Sequence, residues 1–458
     1  MTSSRYPLEP LFGRVLSPLE RFLQRSTAGG MVLVATTILA LALATTLGGP
    51  ALQHVWEQPL AISFGSTFRL ALPLHHWVND GLMAVFFLIV GLELKREILV
   101  GELSSWRDAA LPVVAALGGM LVPALLYTGF NGGTPAASGW GIPMATDIAF
   151  AIGILVLLGD RVPRSLVLFL MALAIADDLG AVLVIALFYT QQISVAALGM
   201  AGALCIVLAL FNRGGIRHPL PYLGIGLLLW YALLLSGLHA TLAGILLAIA
   251  IPALPARSPA QFDARVAELH AALRTEGPDG AAHNAPLSNP RMAEIASALE
   301  QSAAAAQSPQ LRIEHALHPW VTFLVIPVFA LANAGIDLTT VRLDMLLHPV
   351  TTGIVAGLVV GKFLGIALFS WGAVRLGLGR LPAGISWRLL FGAAWLGGIG
   401  FTMSLFISQL AFNDPLLQEE ARLGILLASV LASTVGLTWL LTVTRQSPSL
   451  SPRTESST

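Results

Sequence analysis

Long apolar runs, separated by short polar or glycine- and proline-rich stretches, make up most of this chain. The runs are about twenty residues long, which is the length that a helix rising ~1.5 Å per residue needs to cross a bilayer. The pattern therefore predicts an all-α polytopic membrane protein. Twelve transmembrane spans are predicted, at about 29–48, 77–99, 109–130, 141–158, 165–190, 193–211, 219–236, 238–254, 318–336, 349–374, 387–411 and 423–443.

Four stretches depart from this pattern. Residues 1–28 place apolar side chains at helical spacing among arginines, which predicts a cytoplasmic amphipathic helix on the inner membrane surface. Residues 50–76 alternate in polarity around a Gly-Ser pair and predict a short external β-hairpin, although an ordinary loop fits equally well. Residues 256–316 form a polar cytoplasmic insert with one or two short helices, and 445–458 a disordered cytoplasmic tail. The spans thus fall into two blocks, eight within 29–255 and four within 317–444.

Composition and charge agree with a membrane protein. Hydrophobic residues make up 56% of the chain, charged residues only 11%, and the net charge is zero, so nothing favours nucleic acid or an acidic partner. The single Cys205 cannot form an intrachain disulfide. Basic residues cluster in alternate loops, which by the positive-inside rule places both termini in the cytoplasm.

Two adjacent carboxylates stand at the centre of one apolar run. Asp177 and Asp178 lie in SLVLFLMALAIADDLGAVLVIALFYT, with twelve uncharged residues on either side. In a helix each end is ~18 Å away, so the pair lies near the bilayer midplane. A lone carboxylate there costs at least ~2.5 kcal/mol, and such acids mark ion or proton paths. A helix end in a water-filled vestibule is the weaker alternative, because no turn signal precedes the pair.

Lys362, one of two lysines in the chain, lies equally deep in TTGIVAGLVVGKFLGIALFSW. Along a helix Arg375 is ~19 Å away, which is too far for the lysine stem to reach the interface. Lys362 therefore needs a buried acid or a water-filled cavity, and an interfacial anchor is the weaker interpretation.

Asp147 follows a helix-breaking cluster in GIPMATDIAFAIG. A pair such as Thr146 and Asp147 at a break can cap the N-terminus of a half-helix and balance its positive end. The glycines of GGIGFTMSLFI, at 397–407, interrupt a second span. One broken span in each half of a chain indicates a transporter built from inverted repeats. Each glycine cluster alone more often reflects close helix packing.

The charged residues together suggest an exchange reaction. Neighbouring helix positions point ~100° apart, so Asp177 and Asp178 cannot address the same partner. One can pair with Lys362 while the other faces an ion cavity. Carboxylate oxygens suit a hard cation, and a coupled set of this kind titrates as a group. A membrane protein whose site binds either a metal cation or protons, but not both together, can exchange one for the other.

In these charged residues and broken spans the sequence resembles the bacterial NhaA-type sodium/proton antiporters. The resemblance covers nearly everything from Gly29 to Leu440 except the insert. It implies twelve helices in inverted repeats, with crossed broken helices at about 141–158 and 387–411. The matching stretches are AVFFLIVGLELKREILVGEL, MATDIAFAIG, ALAIADDLGAVLVIALFYT, SGLHATLAGI, EHALHPWVTFLVIPVFALANAGI, GLVVGKFLGIALFSW and GIGFTMSLFI.

The resemblance also implies roles for individual residues. Asp178 would be the principal Na⁺ ligand and proton carrier, with Asp177 beside it and paired to Lys362 when no sodium is bound. Thr146 and Asp147 would support the site. Seven further positions match residues that are tied to pH sensing in the family. They are Glu93, Arg96, Glu97, His239, Glu314, His315 and His318. For the three histidines among them, ordinary polar packing is the stronger interpretation. The long insert before Glu314 departs from the family's usually short loop at this position.

The implied function is a secondary transporter, not an enzyme, that exchanges Na⁺ or Li⁺ for H⁺ across the bacterial inner membrane. Exchange would be electrogenic and pH-regulated, serving sodium extrusion and pH homeostasis. Its partners would be the transported ions and membrane lipid, with no cofactor. Residues 50–76 are compatible with the family's hairpin-mediated homodimer.

Three other classes are less well supported. A sodium-coupled solute symporter also has crossed broken helices, but nothing in the sequence marks an organic-substrate pocket. An intramembrane aspartyl protease needs its two acids on facing helices, typically with a GxGD motif, which is absent. A structural scaffold would leave the cost of three midplane charged sites uncompensated.

Overall fold

A computed structural model describes residues 28–65, 68–190, 193–275 and 290–445. The predicted amphipathic N-terminus and C-terminal tail therefore lie almost wholly outside the described residues. The described part is mostly helical. In chain order its helices are α1 (Ala28–Leu47), α2 (Gly49–Glu57), α3 (Met83–Val100), α4 (Trp106–Asn131), α5 (Ile148–Leu157), α6 (Arg164–Phe188), α7 (Val195–Arg213), α8 (Pro219–Leu234), α9 (Leu242–Ala250), α10 (Pro259–Thr275), α11 (Pro290–Ala306), α12 (Pro309–Trp320), α13 (Ile326–Asn333), α14 (Leu343–Leu347), α15 (Pro349–Val355), α16 (Lys362–Arg375), α17 (Trp387–Leu396), α18 (Phe401–Ala411) and α19 (Pro415–Arg445).

Shorter helical segments connect several of these elements. Residues Leu74–His76 form a single helical turn, and Pro135–Met144 and Gly159–Arg161 are 3₁₀ segments. Three π-helical turns, Trp77–Leu82, Val321–Val325 and Ala356–Gly361, run directly into α3, α13 and α16. Such turns inside longer helices often mark functional sites. The last of the three ends immediately before Lys362.

Eight membrane-span candidates are long and apolar enough to cross a bilayer, or nine if α17 and α18, bent by 46°, form one span. This count covers the described residues only. The eight are 28–47, 106–131, 135–157, 164–188, 195–213, 309–333, 349–375 and 415–445. The prediction of a polytopic helical membrane protein is therefore confirmed, and the count of twelve stays a prediction.

Three predicted spans fold differently from the long apolar helices. The span at 77–99 starts with a π-helical turn and ends in a charged stretch that contains Lys95 and Arg96. The span at 219–236 is a helix of only 16 residues. The span at 238–254 contains turns before a helix of 9 residues, α9.

The predicted β-hairpin is present, and the alternative of an ordinary loop is wrong. Strand β1 (Pro59–Phe64) pairs antiparallel with β2 (Phe68–Pro73), and Ala61 lies opposite Ala71. The turn contains Gly65 at φ 61, a left-handed conformation that glycine adopts without strain. Helix α2 precedes the hairpin and was not predicted; it begins at a glycine, with a proline at its first turn.

The chain divides into two compact units. The first contains the described parts of 1–82, 97–190 and 322–458. Its helices α4 and α16 cross where two glycines meet: a Cβ on Gly118 would lie 2.3 Å from the Gly365 carbonyl oxygen. Small residues allow this close backbone approach within a membrane. The crossing holds the start of α16, and with it Lys362, against α4.

The second unit contains the described parts of 83–96 and 191–321. It includes the insert, whose helices α10 and α11 pack against each other. Leu269 and Ile295 are buried. The Arg257 guanidinium donates to Ser302 Oγ at 3.0 Å, and the Arg257 amide donates to the Ala305 carbonyl at 3.0 Å. These two bonds bring the beginning and end of the insert together.

Candidate functional site

The adjacent aspartates lie in the middle of α6, within the first unit. Asp177 is 0% exposed and Asp178 is 1% exposed. Their neighbours on the same helix, including Leu173, Ala174 and Ala181, are buried as well. Two carboxylates therefore occupy the interior of a long apolar helix.

Lys362 meets one of these aspartates. Its side chain is also fully buried, and its ammonium donates to Oδ2 of Asp177 and to the carbonyl oxygen of Met144. One cation is thus shared between a carboxylate on α6 and a carbonyl at the end of the 3₁₀ segment. Removing one member of a buried ion pair costs about 3–5 kcal/mol, because the other charge stays buried without compensation.

The two helix breaks contact each other beside this pair. Residues 145–147 interrupt the first span and 397–400 the second. The Asp147 amide donates to the Ile399 carbonyl at 2.6 Å, and Thr146 Oγ1 donates to the Gly397 carbonyl at 2.8 Å. Backbone groups freed by the breaks are satisfied by the opposite segment, as buried polar groups require.

Asp147 caps both half-helices that leave the breaks. Its Oδ1 accepts from the Phe150 amide at 3.0 Å, at the start of α5. Its Oδ2 accepts from the Thr402 amide at 3.1 Å and from the Thr402 hydroxyl at 2.5 Å, at the start of α18. A negative charge is favourable at the positive end of a helix dipole. One carboxylate therefore serves two helix N-termini.

Thr402 and the carbonyls of Met144, Gly397 and Ile399 are parts of this cluster that the sequence analysis missed. Thr402 had a detectable signal, because it follows a glycine break as Thr146 and Asp147 follow theirs. The carbonyls had none, since every residue carries one.

The predicted pH-sensing residues are brought together only in part. Arg96 forms an ion pair with Glu314 in the second unit. Next to Arg96, the Lys95 ammonium donates to the carbonyls of Ala248, Ile249 and Ile251 at the end of α9. Glu97 accepts from the Glu102 amide at 3.1 Å in the first unit. Of the remaining members, Glu93 and His239 are half-buried and His315 and His318 are exposed.

Fold and cluster together define a polytopic membrane protein with ionisable residues buried inside its spans, a class in which such residues usually mark an ion or proton path. A family model described as Na⁺/H⁺ antiporter 1 matches residues 20–440. The chain belongs to this family, which confirms the resemblance inferred from the sequence motifs.

Named relatives match almost the whole chain. A protein from Syntrophobacter fumaroxidans named Na(+)/H(+) antiporter NhaA is 61% identical over 438 residues, which cover 95% of this chain and 93% of that protein. One of the same name from Acidithiobacillus ferrooxidans is 59% identical over 435 residues, or 94% of this chain and 99% of that protein.

Proposed function

We propose that this chain is a secondary transporter that exchanges Na⁺ for H⁺ across the bacterial inner membrane. Membership of the Na⁺/H⁺ antiporter 1 family carries this conclusion, and the buried cluster gives it a chemical basis. The protein is a multi-pass membrane protein and a transporter, not an enzyme. A sodium-coupled solute symporter, considered from the sequence, is not supported by the family or by its relatives.

In our proposal Asp178 is the principal Na⁺ ligand and proton carrier, with Asp177 beside it. Both carboxylates are buried, and a buried carboxylate is stable when it is protonated, paired or bound to a cation. A cation and a proton therefore compete for the same group. This competition couples the release of one to the uptake of the other.

Lys362 would tune that competition. Its ammonium contacts Asp177 and the Met144 carbonyl, so it neutralises one of the two adjacent carboxylates. Sodium binding between the aspartates would compete with Lys362 for Asp177. The lysine would then keep the Met144 carbonyl as its acceptor.

Asp147 and Thr146 would support the site. Their hydrogen bonds join the two breaks and offset the positive ends of α5 and α18. We extend this local arrangement to twelve helices in inverted repeats, with crossed broken helices at about 141–158 and 387–411. Alternating access would then occur around a fixed site.

The remaining features of the proposal concern orientation and regulation. We propose cytoplasmic termini, transport of Li⁺ as well as Na⁺, electrogenic exchange and no cofactor. We also propose the domain limits given in the sequence analysis and contact with membrane lipid. Two copies of the chain would form a homodimer through the hairpin at 59–73. Regulation by pH would act through the residues around the Arg96–Glu314 pair.

The test is transport in everted membrane vesicles from cells that produce this protein, in which respiration drives a pH gradient reported by a fluorescent dye. Adding Na⁺ or Li⁺ without any solute should dissipate the gradient, while K⁺ should not, and the response should depend on pH. A response that appears only when an organic solute is added would contradict the proposal.

A further inference from the structure

Tyr189 connects the end of the aspartate helix to the 3₁₀ segment before the first break. It is the residue at the C-terminal cap of α6 and is buried. Its hydroxyl donates to the Ser138 carbonyl at 2.8 Å and accepts from the Gly141 amide at 3.2 Å. One side chain on α6 thus satisfies a backbone acceptor and a backbone donor of the segment Pro135–Met144.

A second buried tyrosine holds the same segment from another helix. The Tyr127 hydroxyl, on α4, donates to the Ala136 carbonyl at 2.9 Å. A 3₁₀ helix has weaker internal hydrogen bonds than an α-helix and rarely extends beyond a few residues. This one runs for 10 residues, so its geometry depends on contacts from outside.

Glycines in the segment make room for these tyrosines. A Cβ on Gly141 would lie 2.6 Å from the Tyr189 hydroxyl oxygen, and one on Gly139 would lie 2.5 Å from the Tyr127 hydroxyl oxygen. Both distances are shorter than any real Cβ contact. The two phenols therefore fit against the segment only because glycine stands at both positions.

We propose that Tyr189 is a positioning residue for ion exchange, which holds the 3₁₀ segment at a fixed place relative to α6. The segment ends at Met144, whose carbonyl shares the Lys362 ammonium with Asp177 of α6. By fixing the Met144 carbonyl and the Asp177 carboxylate relative to each other, Tyr189 determines how strongly the Lys362 ammonium binds each of them. The inference rests on the proposed function of the aspartates.

The test is Tyr189→Phe in the vesicle assay, which removes the hydroxyl and keeps the ring. Loss of the two hydrogen bonds should raise the apparent KM for Na⁺ roughly five-fold and displace the pH profile, while the maximal rate changes less. A lesion that only reduced the amount of folded protein would lower the maximal rate and leave both other quantities unchanged.

Tyr222→Phe is the matched control. Tyr222 is also fully buried and donates to a backbone carbonyl, that of Ile216, at 3.0 Å, but it lies in the second unit. The control should retain the wild-type KM and pH profile. A Tyr189→Phe protein with the wild-type KM and pH profile, or with the same change as Tyr222→Phe, would overturn the inference.

Gly141→Ala disturbs the contact between Tyr189 and the 3₁₀ segment by changing the segment instead of the tyrosine. It tests the inference if Tyr189→Phe does not fold. Its methyl group would displace the Tyr189 hydroxyl and should shift KM and the pH profile in the same direction. When Gly141→Ala is combined with Tyr189→Phe, the hydroxyl oxygen that the methyl group would displace is already absent. The effects of the two substitutions on KM and the pH profile should therefore be less than additive. Strictly additive effects would contradict the contact. Absence of exchange in the wild type would instead refute the proposed function.

Discussion

Two ion pairs of this protein contain the same kinds of charge in opposite surroundings. Lys362 and Asp177, in the first unit, are each 0% exposed. Arg265 and Glu268, three residues apart on α10 of the insert, are 39% and 66% exposed. An exposed pair is screened by water and contributes about 0–1 kcal/mol, whereas breaking a buried pair costs about 3–5 kcal/mol. Burial, not the presence of opposite charges, therefore identifies the pair that can carry a function.

The surroundings of each pair follow from the sequence around it. At least ten uncharged residues lie on either side of Lys362 and of the Asp177–Asp178 pair, so neither Lys362 nor Asp177 can reach the membrane interface. On α10, polar and small residues surround Arg265, and its head group reaches solvent. Arg96 and Glu314 lie between these extremes, with side-chain exposures of 38% and 6%.

The largest effect is expected for Asp178→Asn. The amide keeps the shape and one oxygen ligand but removes the charge that attracts a cation and the group that carries a proton. Exchange should fall to background, with normal insertion into the membrane. Sodium-driven dissipation of the pH gradient, together with sodium binding to purified protein, measures both losses.

Two neighbouring variants serve as controls for this result. Asp178→Glu keeps the charge and shifts only the ligand, so it should retain part of the activity. Asp177→Asn should still bind sodium but weaken proton coupling, because Lys362 loses its carboxylate partner. Near-normal exchange by Asp178→Asn would show that the site assignment is wrong.

A smaller effect is expected for Lys362→Ala. Without the buried positive charge the aspartates hold protons more tightly, so sodium competes successfully only at lower proton concentration. The pH dependence of exchange should therefore shift towards alkaline values. The profile is measured in vesicles at several sodium concentrations, with Lys362→Arg as the variant that keeps the charge. An unchanged profile for Lys362→Ala would count against the role of the pair.

Much of this cluster was predictable from the sequence, and the missing parts have a common physical reason. Asp147, Asp177, Asp178 and Lys362 stood out because a charge in an apolar run is costly wherever the helix packs. Nothing in the sequence said that one Asp147 carboxylate would cap two half-helices, since this depends on a contact between residues 255 positions apart. Backbone acceptors such as the Met144 carbonyl leave no trace in the sequence at all.

The fold, too, was predictable only in part from the sequence. Hydropathy found the long spans and alternation found the hairpin, because both patterns are local. Helix α2 was missed because its nine residues lie inside a stretch dominated by the hairpin pattern. The one or two short helices predicted in the insert correspond to α10 and α11, and Leu269 of α10 is buried.

A still smaller effect than that of Lys362→Ala is expected for Thr402→Val, which removes the hydroxyl bond to Asp147 but keeps the side-chain shape and the Thr402 amide bond. A hydrogen bond to a charged group such as the Asp147 carboxylate contributes about 1.5–3 kcal/mol. The midpoint of thermal unfolding should therefore fall by a few degrees, and exchange should slow without being lost. Thr402→Ser keeps the hydroxyl and should restore most of both. Equal behaviour of the two variants would show that the hydroxyl bond contributes nothing.

The smallest effect is expected from deleting residues 259–306, which removes α10, α11 and the exposed Arg265–Glu268 pair together. The hydrogen bond between the Arg257 amide and the Ala305 carbonyl brings the two ends close, so a short linker can join Ser258 to Gln307. In the described part of the chain, the side-chain hydrogen bonds of Asp147, Asp177 and Lys362 are made with residues outside 259–306. Exchange in vesicles should therefore stay near the wild-type rate, with an unchanged apparent KM for Na⁺. Complete loss of transport by a correctly inserted deletion protein would contradict this prediction and show that exchange needs the insert.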